Sequence, residues 1–382
     1  MPESKEGSKQ RYVFLNEEEW ELIDNFRKTG TLPDSHLLQS DLNAVKIKER
    51  NLQLKDRYKK LLRELEVANQ RLEHLSELRG IPASSQTIVP DSQANGLPDA
   101  AAIMVAGDWH VEERVDPQTV NDMNDYGLEE AERRAIEFFK NGLRKVRVLR
   151  NGYNIRTLVL AVLGDIISGY IHEELLENNL LSPVEASRLA KKFICAGINY
   201  LLKNGQFDVI RVVCCFGNHG RTSQRKKFAT GYKNSYEWLL YHSIADAFER
   251  NKRVEFVIAT GYHVYDTLFD RYTIRYHHGD EIKYRGGVGG MTIPVNKAIA
   301  KWNSIRPAYL DIFGHFHETV DGGQFVANGS LIGYNAYAIS IKAQFQEPKQ
   351  SLILIEKERG KSFVAPIHVT KQPVRIAPIG AK

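Results

Sequence analysis

Five apolar, strand-length runs in this chain end on Asp, Asn or His, nearly always beside a glycine, and that repetition constrains the fold more than any other feature. The run at 101–106 ends in "AGDWH", giving Asp108 and His110, and the run at 157–163 ends in "LGDIISG", giving Asp165. The run at 208–216 ends in "GNHG", giving Asn218 and His219. Runs near 272 and 309 end in "YHHGD" and "FGHFH", giving His277, His278, Asp280, His315 and His317. Two more runs lie near 254–258 and 351–356, and helical patterns fall between several of them at 128–149, 184–203, 234–250 and 295–304. Strands alternating with helices argue for an α/β domain, with the closely spaced runs over 254–277 reading as antiparallel or meander-like. In an open α/β sheet the carboxyl ends of strands meet at one crevice, so groups far apart in sequence converge there.

Carboxylate, carboxamide and imidazole groups gathered in this way suit Mn, Fe or Zn. No cysteine joins them, which disfavours a structural zinc site. Two cations about 3.5–4 Å apart clamp a phosphoryl oxygen and turn a shared water into hydroxide near neutral pH. One carboxylate must bridge such a pair, and the neighbouring glycines let the backbone come close.

The ordered set D-x-H, GD, GNH, HG and G-H-x-H, spanning residues 105–317, resembles the calcineurin-like metallophosphoesterase superfamily. The resemblance implies a two-sheet sandwich flanked by helices over residues 100 to about 370. It implies that Asp108, His110, Asp165 and His317 hold one divalent metal, with Asp165 bridging, and that Asn218, His278 and His315 hold the other. His219 would contact the phosphate and protonate the leaving oxygen as general acid. Manganese is the first expectation for both ions, with Fe, Zn and Mg as the others. The pattern departs from the family in three places. Gly220 stands where an acidic residue usually orients the histidine, Ser168 follows the GD block in place of Asp or Asn, and "YHHGD" offers His277 as an alternative to His278.

Substrate class is less constrained. The basic segment after His219, with Arg221, Arg225, Lys226 and Lys227, suits a phosphate backbone, although a solvated loop explains it equally well. His172 lies where DNA-processing members place a further histidine; an exposed helix start is its other reading. The leading expectation is a metal-dependent phosphodiesterase acting on DNA or RNA, resembling phage and prophage phosphoesterases related to DNA-repair exonucleases. A phosphomonoesterase or small-nucleotide hydrolase is the runner-up, and a coiled-coil scaffold with a vestigial metal site comes third.

The first 79 residues are of another kind. Trp20, Ile23 and Phe26 recur at helical spacing, and Ile47, Asn51, Leu54, Tyr58, Leu61, Leu65, Ala68, Leu72 and Leu75 alternate by three and four. That seam predicts a coiled coil about 45 Å long and a homo-oligomer formed through it; a single amphipathic helix packed on its own domain is the alternative. Residues 80–99, rich in Pro, Ser, Gly and Asn, read as a linker, and the glycine run at 284–292 reads as a flap near the site. With 42% apolar and 26% charged residues and a net charge of +5, the chain reads as globular. No run is long enough to cross a membrane and no secretory signal is visible at the start, so a cytoplasmic location is expected, in the host if the chain is phage-encoded. Cys195, Cys214 and Cys215 read as reduced packing residues.

Overall fold

A computed structural model describes residues 17–30, 35–80, 96–284 and 290–370. The chain divides into two compact units, Met1–Gln93 and Ala94–Lys382. In the first unit, α1 (Glu17–Thr29) and α2 (Ser35–Gly80) are helical. The seam residues Ile47, Leu54, Tyr58, Leu61 and Leu65 all lie exposed along α2. Residues 81–95 of the expected linker and 285–289 of the expected flap lie outside the described residues, as do the side chains of Leu72 and Leu75.

The second unit is built on two sheets. The first contains β1 (Asp99–Ala106), β2 (Asn154–Val162), β3 (Val209–Cys214) and β4 (Val254–Ile258), all parallel. The antiparallel strands β10 (Lys349–Glu356) and β11 (Gly360–His368) extend it in the order β11-β10-β1-β2-β3-β4. The second sheet contains β5 (Val264–Leu268), β6 (Tyr272–Tyr276), β7 (Leu310–Phe313), β8 (Val320–Asp321) and β9 (Phe325–Ala327), in the order β5-β6-β7-β9-β8. It is mixed, with β6, β7 and β9 parallel.

Side-chain alternation explains why these strands make layers. Along β1, Ala102 and Met104 join the helix-side core, while Ala101, Ile103 and Val105 face the second sheet. The helix-side core is closed by α3 (Leu128–Leu149), α5 (Pro183–Asn204) and α6 (Tyr236–Phe248), with Phe138, Phe193 and Tyr241 among the packed residues. Between the sheets, Val159 and Val213 meet Ile274, Leu310 and Val326. Beyond the second sheet, Val295 and Ile299 of α7 (Thr292–Asn303) pack with Phe313 and Phe325. The order is therefore helices, sheet, sheet, helix, the two-sheet sandwich expected from sequence. Two short helices, α4 (Glu173–Asn178) and α8 (Ala336–Ser340), complete the unit. Cys214 at the end of β3 and Cys215 just after it point into different cores, and both are free. Among the described residues, no helix is long and apolar enough to cross a membrane.

Candidate metal centre

The strand ends converge as two triads. Asp108, His110 and His317 offer ligand atoms all within 4.8 Å of one another, and so do Asp165, His278 and His315. The amide oxygen of Asn218 lies 3.1 Å from Nε2 of His278, which itself lies 2.9 Å from Oδ2 of Asp165. The backbone amide of His219 donates to the other oxygen of Asp165 at 2.8 Å. All seven expected ligands and His219 thus meet around one locus. His277 does not: it is fully buried and stacked on Phe313 at 5.0 Å, and it is His278 that groups with Asp165 and His315.

Five of these residues have left-handed backbones: Asp108 (φ 54°), His110 (49°), Asp165 (49°), His315 (71°) and His317 (57°). A residue with a Cβ carries a cost of about 1–2 kcal/mol in that region, so roughly 5–10 kcal/mol of local strain is concentrated at one locus. The glycines explain how the strand ends pack so tightly. A Cβ on Gly217 would fall 2.0 Å from Oδ1 of Asp165, and one on Gly314 would fall 2.3 Å from Oδ2 of Asp108.

The histidine rings are oriented by partners that sequence reading missed. His278 donates Nδ1–H to the carbonyl of Leu163 at 2.8 Å, because a carbonyl only accepts; its Nε2 is left facing the site. His110 places Nδ1 2.9 Å from the hydroxyl of Ser168, which donates onward to Glu113 at 3.1 Å, and Glu113 also accepts from Asn335 at 3.0 Å. Nε2 of His110 is buried with no hydrogen-bond partner. An unpartnered buried nitrogen beside two carboxylates is what a metal ligand looks like before its ion is considered, so the donor set fits a divalent cation. Burial, and next the neighbouring His219, hold His110 well below its ordinary range, keeping the lone pair free. Burial, then His278, hold His315 at about 4. Burial alone would lower His278, but the Asp165 carboxylate pushes it up to about 10.

The missing acidic residue after the GNH block also has an explanation. Nδ1 of His219 lies 3.1 Å from the backbone carbonyl of Ser168, which fixes that nitrogen as the donor and leaves Nε2 free. Glu237 of α6 takes the space an acidic side chain at 220 would need, since a Cβ there would meet its Cγ at 2.6 Å. Glu237 is fully buried and accepts from the amides of Ile166 at 2.6 Å and Gly217 at 2.7 Å. Glu112, equally buried, accepts from the amides of Ser168 at 2.8 Å and Gly169 at 2.9 Å. Two buried glutamates therefore hold the backbone of the loop after Asp165. Burial, and next Asp165, push Glu237 up to about 7, and burial pushes Glu112 up to about 8. Glu112 and Glu113 follow the first ligand block after Val111, but in the charged stretch "HVEERVD" they read as exposed acids. Glu237 gave no signal, because it reads as an ordinary first-turn acid of a helix.

Of the expected substrate contacts, His172 is exposed with its ring centroid 5.7 Å from that of His219, and its side chain does not cap α4. Arg221 spends its guanidinium on the carbonyls of Asn218 (2.8 Å), Ser223 (3.1 Å) and Gln224 (3.2 Å), so it braces its own loop. Arg225 is exposed.

No protein-family model and no curated protein sequence matches the chain. Among solved structures, the calcineurin-like phosphoesterase YfkN of Bacillus subtilis is similar at 14% identity and a TM-score of 0.27, with 71% of this chain and 91% of that one covered. A dimetal phosphatase of Danio rerio is similar at 10% identity and a TM-score of 0.31, with coverage of 72% and 100%. The sulfate thiohydrolase SoxB of Thermus thermophilus is similar at 10% identity and a TM-score of 0.31; 75% of this chain is covered, and it spans only 59% of that protein's length. At scores this low the weight falls on the site's own residues. Layer order and motif blocks agree with the calcineurin-like metallophosphoesterase superfamily to which the sequence bears its resemblance.

Proposed function

We propose that this chain is a phosphoesterase dependent on two divalent cations, and that it cleaves phosphodiester bonds in nucleic acid. One observation carries the reading: two Asp/His triads, five of whose six residues have left-handed backbones, lie at neighbouring strand ends, and Nε2 of His110 in one of them is buried without a partner. Asp108, His110 and His317 would hold one cation, Asn218, His278 and His315 the other, with Asp165 shared. Cations held there would supply Lewis-acid polarisation of a phosphoryl oxygen and a water-derived nucleophile at neutral pH, with manganese the first candidate.

The chain's own groups do the rest. His219, held through Nδ1 by the Ser168 carbonyl, presents Nε2 for a proton that passes to the departing oxygen. His172, beside it and open to solvent, is placed to meet the same end of the substrate. Glu112 and Glu237 keep the loop between Asp165 and Gly169 in one shape, so Asp165 and the Ser168 carbonyl stay in register with each other. The exposed seam of α2 favours pairing with a second copy, which would set two sites in one particle.

The test is digestion of end-labelled single- and double-stranded DNA with manganese beside Asp165→Ala protein. Cleavage by wild type alone supports the nuclease reading. Intact DNA together with hydrolysis of a small chromogenic phosphate ester would replace it with the phosphomonoesterase or small-nucleotide reading. A protein that purifies without transition metal and tolerates Asp108→Ala unchanged would be a scaffold.

A further inference from the structure

Beside the metal centre, α7 and the loop after His219 enclose a cleft of about 590 Å³. Pro294, Ala298 and Trp302 recur every four residues on α7 and form one wall, with Lys297 and Lys301 on the same side of the helix. Phe216, Phe228 and Tyr262 line the cleft as well, and Phe228 is 79% exposed. A smaller pocket, lined by Asn218, Gly217 and Asp280, shares Phe216, Lys226, Lys227 and Tyr262 with it. The cleft therefore opens onto the metal centre on the Asn218 side.

Its charge is uneven in a telling way. Lys226 is paired with both Asp280 and Glu281, and Glu281 is the one acid in the lining. Lys227, Lys283, Lys297 and Lys301 line the same cleft, and among the described residues none of the four has an ion-pair partner. Four uncompensated ammonium groups exceed what a single mononucleotide phosphate would balance, but they match successive phosphates of a chain. Aromatic faces interleaved with lysines hold unstacked bases, which a duplex does not offer.

We propose that this cleft binds a single-stranded stretch of nucleic acid next to the phosphate at the metal centre. Lysines 227, 283, 297 and 301 take the backbone, and the exposed ring of Phe228 stacks on bases, with Trp302 as part of the cleft wall. The proposal rests on the phosphodiesterase reading above and adds where the strand lies.

Anisotropy of a short labelled phosphorothioate oligothymidylate, which resists cutting, with the manganese-loaded full chain tests it. Lys297→Ala/Lys301→Ala should weaken binding at least tenfold at low salt. It should also flatten the slope of log affinity against log salt by about 1.4, the loss of two single-strand phosphate contacts. Phe228→Ala should weaken binding about tenfold. Lys140→Ala/Arg144→Ala removes the same charge from the exposed side of α3 and should leave binding as in wild type. Equal affinity of wild type and Lys297→Ala/Lys301→Ala would overturn the proposal, as would a wild type that does not bind the strand. Displacement of the strand by thymidine monophosphate at comparable concentration would overturn it in favour of a nucleotide site. DNA digestion reports separately on the nuclease reading. Cleavage with cleft-independent binding removes this inference alone; cleft-dependent binding without cleavage removes the nuclease reading and leaves the strand-binding cleft standing.

Discussion

At Ser168 one residue serves two histidines through different atoms: its hydroxyl takes Nδ1–H of His110, and its carbonyl takes that of His219. The two roles separate by mutation, because alanine removes only the hydroxyl. Ser168→Ala should lower metal affinity about 10–100-fold, the usual cost of losing a partner behind a histidine ligand. The hold on Nδ1 of His219 should stay in place, since the carbonyl remains. Metal titration checks the first effect; unchanged metal affinity would show that His110 does not depend on the hydroxyl. The candidate ligands were legible in sequence because five blocks of Asp, Asn and His recur in order at strand ends; a single Asp or Asn there would read as a turn residue. Their supports were not, because each contact joins segments far apart: Ser168 and Glu113 are 55 residues apart, and Ile166 and Glu237 are 71 apart.

The elements hold the site through the loop after β2, which α6 reaches with Glu237. Glu237→Ala leaves the buried amides of Ile166 and Gly217 without an acceptor, and should cost about 2–6 kcal/mol, read as a fall in the denaturation midpoint. Glu237→Gln should cost less, because one of its two polar groups still accepts. A second element-level effect concerns His263, which packs on Trp302 of α7 at 4.6 Å. Burial, and next His277, hold it at about 3, while the unfolded chain takes up that proton near 6.5. Between those values the unfolded state binds more protons, so this contribution is complete above about pH 6.5 and is lost as pH falls toward 3. His263→Phe should flatten the dependence of melting temperature on pH across that window; an unchanged slope would show that His263 does not titrate on unfolding. Helices α3, α5, α6 and α7 and strands β1–β4, β6, β7 and β10 stood out in sequence as long periodic or apolar segments. The strands β8 and β9, of two and three residues, carry no such pattern, and β11 is a half-exposed edge strand with Pro366 inside it.

At the scale of the whole molecule, two separate units follow from two kinds of pattern, a heptad seam and strands that end on ligands. Pairing through α2 predicts that light scattering of the full chain gives more than one copy per particle, and that Leu54→Lys/Leu61→Lys gives one. A single copy in wild type would remove the pairing. A cation that binds only the folded state would add about 2.7 kcal/mol at a hundred times its Kd, which would offset part of the strain at the strand ends. We propose that these left-handed Asp and His residues hold a pair of cations. The most direct measurement is the metal content of protein loaded with manganese and freed of excess ion, wild type beside Asp165→Ala. About two ions per wild-type chain and a marked loss in Asp165→Ala are expected if that carboxylate is shared. Equal content in the two proteins, or essentially none in wild type, would contradict it.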